Sequence, residues 1–189
     1  AARAIEAGAF VAAAHPNWYN LTENDVMSLG DIHAIEIYNG VSHDHNDKPD
    51  SWYMLDVLTA RGRRYSACAT DDAHIKPNKG DTCTGWVQVK SESLDAESLV
   101  ESLKNGDYYS STGPEIYNVQ IKRGESVYVR CSPAERIFVT GKGWTASQSW
   151  GNAGREAELD ISRFQSPYAR VTVRDAKGGR AWTNVFWFD

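Results

Sequence analysis

The sequence predicts an α/β domain followed by a smaller antiparallel β domain, and three observations carry that prediction. Up to about residue 113, apolar runs of strand length alternate with amphipathic helical patterns. Each run ends in polar residues: His15-Pro16, then Asn39-Gly40, then Asp71-Asp72-Ala73-His74. From Thr112-Gly113-Pro114 onward the helical periodicity stops, and short alternating segments follow one another across Gly-rich turns. Alternation of strand and helix implies a parallel sheet, whose strands carry chemistry at their C-terminal ends. Short strands without helices imply a small antiparallel sandwich. The boundary is placed at 1–113 and 114–189.

Residues 1–7 are alanine-rich and close on Gly8, a helix with its stop. Residues 9–14 form a compact apolar run, and Pro16 holds His15 extended at its end. Residues 22–29 read as a short helix, with Thr22 as N-cap, Asp25 in a capping-box position and Gly30 as terminator. The strand over residues 32–38 is interrupted by Glu36, a carboxylate expected on a polar face or beside a cation. Asn39-Gly40 then opens a polar loop carrying His43, Asp44, His45 and Asp47. Residues 51–61 are a helix with Trp52, Leu55 and Leu58 facing a core, and Gly62 stops it. The strand over residues 65–70 leads into Asp71-Asp72-Ala73-His74. Beyond it lie a strand at residues 86–89 and an amphipathic helix at 95–104.

The second domain reads as six strands, at residues 116–122, 126–131, 136–140, 158–161, 168–174 and 182–188. Its tryptophans, Trp144, Trp150, Trp182 and Trp187, are expected in the core; on an exposed face they would stack on sugars instead.

Composition removes several classes. The net charge is −5 with basic residues scattered, so nucleic acid is not the expected partner. Three cysteines without a C-x-x-C indicate neither a disulfide framework nor a zinc ribbon. No segment reaches the roughly 18 apolar residues of a membrane span. The first residue is Ala1 within a helical pattern, so the natural beginning of the chain is expected to lie upstream.

An Asp-x-His pair offers one oxygen and one nitrogen to a borderline divalent ion such as zinc or manganese. Taken together, Ala14-His15-Pro16, Ile35-Glu36-Ile37-Tyr38-Asn39-Gly40 and Thr70-Asp71-Asp72-Ala73-His74 form an ordered set of strand ends. This set resembles the later half of the PHP (polymerase and histidinol phosphatase) superfamily of metal-dependent hydrolases. Tyr108-Tyr109-Ser110-Ser111-Thr112-Gly113-Pro114 and Ala181-Trp182-Thr183-Asn184 resemble its CehA/McbA-like branch.

The resemblance spans nearly the whole chain and implies the C-terminal part of a distorted (β/α)7 barrel. It implies two or three divalent ions (Zn, Mn or Fe) at the strand ends, which activate water against a small anionic ester, foremost a phosphate ester. By motif, His15, Asp72 and His74 correspond to metal ligands. His43 is the nearest match to a further ligand histidine, with His45 its rival. Asp71 and His45 are the candidates for acid–base duty. Lys76 and Lys79, just past the motif, are candidates to meet the anionic substrate. The family's opening His-x-His and its acidic bridging ligand have no counterpart here. The resemblance therefore implies that an N-terminal segment or a second chain completes the site and covers the open sheet edge. The competing expectation is a non-catalytic module, a β-sandwich that presents tryptophans to a carbohydrate on an inert α/β scaffold.

Overall fold

The computed structural model describes residues 1–75 and 80–189. The chain separates into two compact units, Ala1–Ser110 and Ser111–Asp189.

The first unit begins with α1 (Ala2–Glu6), β1 (Ala12–Ala13), α2 (Glu23–Met27) and β2 (Ala34–Asn39). It continues through α3 (Gly40–Asn46), α4 (Trp52–Ala60), β3 (Ser66–Thr70), β4 (Trp86–Val89), α5 (Ala96–Asn105) and β5 (Tyr108–Ser111). The capping box read at Thr22 is present: Asp25 N–H donates to the Thr22 hydroxyl, and Thr22 N–H donates back to Asp25 at 2.7 Å. Helix α5 is closed at both ends, by the Asp95 carboxylate on Ser98 N–H and by Gly106 in the left-handed region.

Strands β1, β2 and β3 form a parallel sheet in that order, joined by helical crossovers. β2 is buried from Ala34 to Ile37, the pattern of a strand covered on both faces. Leu55 and Leu58 of α4 and Val26 of α2 are buried apolar residues of the same unit. Beneath β2 and β3, Ala34, Cys68 and Tyr108 form a cluster on which Phe10, Val87, Val89 and Leu103 pack. Cys68 is thus a core residue, and burial pushes its thiol up to about 12.

Of the expected C-terminal part of a (β/α)7 barrel, the structure shows an open three-stranded parallel sheet and no barrel. Three parallel strands do not close on themselves, because the tilt and stagger of a closed sheet demand more strands than this unit contributes. The coarser expectation, an α/β layer with a parallel sheet followed by antiparallel strands, is what the structure shows.

The stretch after Asn39 is also different from the expected loop. Residues 40–46 are helical, because Asn39 accepts from Ser42 N–H at 2.8 Å and so caps the first turn, while Asp47 ends it at φ +57°. Asn-Gly, a frequent turn signal, serves here as N-cap and first helical residue.

The second unit contains β6 (Ile116–Lys122), β7 (Ser126–Ala134), β8 (Arg136–Thr140), β9 (Ala146–Gln148), β10 (Gly154–Asp160), β11 (Tyr168–Arg174), β12 (Arg180–Thr183) and β13 (Phe186–Trp187). One antiparallel sheet has the order β10-β7-β6; a second runs β12-β11-β8-β9, with β13 on β11. Alternate residues are buried along β7 (Val127, Val129, Cys131) and β8 (Ile137, Val139), the period-2 signature of half-covered sheets. The short strand β9 lies outside the expected set, since Ala-Ser-Gln carries no apolar alternation.

The tryptophans divide. Trp182 is 4% exposed and belongs to the core, whereas Trp144 is 94% and Trp150 80% exposed. The core expectation fails for these last two.

Candidate functional site

The C-terminal ends of β1, β2 and β3 are tied together by one carboxylate. Glu36 is 5% exposed, and it accepts from the His15 main-chain N–H at 2.5 Å and from Asn39 Nδ2 at 3.1 Å. Its other oxygen accepts a short hydrogen bond from the Thr70 hydroxyl. Asn39 Nδ2 also reaches Asp72 Oδ2 at 3.3 Å. Residues from all three strand ends therefore meet on Glu36, directly or through Asn39.

A bulge makes this possible. The β2–β3 register shifts between Glu36 and Tyr38, so Ile37 is an inserted residue. In a regular strand, side chains three positions apart point to opposite faces; one inserted residue brings Glu36 and Asn39 to the same side. The sequence marked Glu36 only as an interruption, with a polar face or a cation as its expected support. The support is instead a set of neutral donors: a main-chain N–H, a carboxamide and a hydroxyl.

Two candidate ligands leave their strands with left-handed backbone: His15 at φ +33° and Asp72 at φ +52°. Such conformations are disfavoured for residues with a Cβ and cluster where function over-determines geometry. His15 Nδ1 is buried and has no hydrogen-bond partner among the described residues. Its ring lies 5.3 Å from Trp18 and 5.0 Å from Tyr19, and Trp18 in turn lies 5.6 Å from His45. His43, two residues away on α3, turns to a different side and packs on Tyr38 at 6.3 Å.

His74 does not join this group. Its main-chain N–H donates to Asp81 Oδ2 at 3.1 Å, and its imidazole, 52% exposed, stands 3.9 Å from the same oxygen. Asp81 itself is buried. Of the expected ligands, His15 meets Glu36 through its main-chain N–H and Asp72 meets Asn39 through its carboxylate, while His74 is held by Asp81.

Asp71, expected in acid–base duty, braces a loop. It accepts from Thr84 N–H at 2.7 Å, the Thr84 hydroxyl at 2.8 Å, Gly85 N–H at 2.9 Å and Cys83 N–H at 2.6 Å. Burial works to raise this carboxyl, but the bonds from Gly85, Thr84 and Cys83 outweigh it and hold Asp71 below the ordinary carboxylate range. Lys76 and Lys79 lie outside the described residues. His33, outside the candidate set, accepts from Val11 N–H and packs on Phe10.

The donor chemistry fits a borderline divalent ion in part. A buried imidazole nitrogen with no partner among the described residues, and carboxylates such as Glu36 and Asp72, are suitable ligand types. Yet among the described residues no group of three or more His, Cys, Asp or Glu is drawn close enough to hold a metal ion. Comparison with family models, curated proteins and solved structures finds no match. Among the described residues no helix is long and apolar enough to cross a membrane.

Proposed function

We propose that the chain is the C-terminal part of a PHP-type metal-dependent hydrolase, a phosphoesterase, with His15 and Asp72 at its centre. The observation that carries this reading is the Glu36 knot. A buried carboxylate joins three parallel strand ends and bonds the main chain of His15, whose imidazole Nδ1 has no partner among the described residues.

In this reading His15 and Asp72 would hold a divalent ion together with donors outside these residues, and His74 and His43 would have to leave Asp81 and Tyr38 to join them. Bound there, Zn, Mn or Fe would supply Lewis acidity toward water and the ester oxygens. The chain's own part is placement and charge. Glu36 fixes the main chain at His15, so the imidazole leaves β1 in one direction. Asn39 orients the Asp72 carboxylate. Glu36 and Asp72 together bring two negative charges to one edge of the sheet, where a cation is favoured over bulk water. Trp18 and Tyr19 wall one side of His15. His45, exposed beyond Trp18, is placed to carry a proton between the site and solvent.

The test has two arms. In the present chain, Mn²⁺ added in small amounts should broaden the NMR signals of His15 and Asp72 first, and His15→Ala should abolish that preference. A longer form carrying the remaining donors should hold two or more ions per chain and hydrolyse bis-p-nitrophenyl phosphate. Broadening spread evenly over exposed carboxylates, or a longer form without bound ions, would refute the assignment.

A further inference from the structure

We infer that the second unit carries a saccharide site, in the cleft between the β8–β9 turn and residues 160–167, where one ring of a neutral oligosaccharide stacks on Trp144. The site is independent of the strand-end knot in the first unit, and either assignment stands or falls without the other.

The cleft encloses about 600 Å³, within the usual range of small-ligand sites, and its lining includes Lys142, Trp144, Asp160, Arg163, Phe164 and Gln165. Its first wall is a locked turn. Lys142 N–H donates to Ser166 Oγ at 2.8 Å, that hydroxyl donates to Tyr168 O at 2.6 Å, and Gly141 N–H donates to Thr145 O at 2.8 Å. A Cβ at residue 141 would lie 2.7 Å from Ser166 Cβ, so only glycine lets the two segments approach. Gly143 takes φ +65° in the same turn. Trp144 is therefore held outward by an anchored backbone, its indole almost wholly in water.

An indole face so presented prefers the weakly positive C–H face of a pyranose, because the ring quadrupole is negative above its plane. Polar groups for hydroxyl recognition stand around it. Asp160 has one oxygen on Ser162 N–H at 2.7 Å, and Gln165 and Lys142 add donors and acceptors. The lining sets one carboxylate, Asp160, against two cations, Lys142 and Arg163, so the choice of a sugar over a nucleotide rests on the exposed indole face and not on charge. Trp150 makes the contrast. It is also exposed, but the Arg136 guanidinium lies 5.3 Å over its ring and occupies one face.

The experiment is an NMR titration of the full 189-residue chain, reading the Trp144 indole N–H. Cellotetraose, mannotetraose and maltotetraose are the probes, with ATP as the counter-probe. At least one tetrasaccharide should shift the Trp144 signal saturably. Trp144→Ala should weaken its binding about tenfold, the scale of one lost aromatic contact, while Trp144→Phe restores part. Trp150→Ala should leave it unchanged. Both tryptophans are exposed, so these variants keep the fold, as circular dichroism will verify. Three outcomes overturn the inference: no tetrasaccharide binds by about 10 mM, a free energy of only a few kcal/mol; Trp144→Ala binds as well as the parent; or ATP binds in the cleft and the sugars do not.

Discussion

The main-chain N–H of His15 donates to Glu36 Oε2 across 2.5 Å, joining the residue that leaves β1 to one inside β2. The bond does two things at once. It satisfies a buried carboxylate, and it holds His15 in a backbone conformation that a side-chain-bearing residue seldom adopts. Local strain at a candidate ligand is thereby offset by a charge-assisted hydrogen bond at the same residue.

Glu36→Gln should therefore destabilise the protein by about 2–4 kcal/mol, since a charge-assisted bond weakens and one amide half cannot accept. Urea unfolding followed by tryptophan fluorescence checks this. A loss below about 0.5 kcal/mol, the level of an ordinary surface change, would mean the knot is not a structural element.

Asn39→Asp keeps the helix cap on Ser42 but puts a third carboxylate against Glu36 and Asp72. Like charges a few Å apart repel, so the variant should be less stable than the parent at neutral pH. The gap should narrow as pH falls and one of the three takes up a proton. A gap independent of pH would count against this charge arrangement.

Asp71 gives an acid-stability signature. Its carboxyl lies below the ordinary range in the folded chain, so the unfolded state binds the proton more readily. The stabilisation is in full force above the unfolded value of about 3.9 and is lost as pH falls through the lower folded value. Asp71→Asn should lower stability at neutral pH and flatten the acid limb of a stability-versus-pH curve. An acid limb identical to the parent's would exclude Asp71 as its source.

Gly40 is packed against the loop that Asp71 braces. A Cβ there would fall 2.0 Å from Thr84 Oγ1 and 3.0 Å from Asp71 O. Gly40→Ala should cost about 1–3 kcal/mol by overpacking. Adding Thr84→Ala should cost less in that background than in the parent, since the clash is removed with the hydroxyl; a double-mutant cycle by urea denaturation reads the coupling.

The tryptophans separate core from surface. Trp182→Ala should lose about 3–5 kcal/mol, the cost of emptying a buried aromatic site. Trp144→Ala should change stability by no more than about 0.5 kcal/mol. Thermal unfolding compares them directly, and equal losses would mean that Trp144 is packed rather than free.

What could be read along the chain was local. The capping box at Thr22, the stop at Gly106 and the strands Ile116–Lys122, Arg136–Thr140 and Tyr168–Arg174 follow from near-neighbour chemistry and short-period patterning. The order of strand ends at His15, Asn39 and Asp72 was legible for the same reason. Helix α3 was not, because Asn-Gly suits a hairpin turn and an N-cap equally, and only the Asn39–Ser42 bond chooses. His74 could be placed at a strand end, but not beside Asp81, seven residues on.

The sequence by itself determined that polar side chains would crown a set of apolar strands, since alternation of burial and capping is written in adjacent residues. The tertiary structure decided which of them meet. One inserted residue at Ile37 turned Glu36 and Asn39 to a common side, and pairing with β3 delivered Thr70 and Asp72 to them. Register and bulge position arise from contacts between segments some 30 residues apart, which no local pattern encodes.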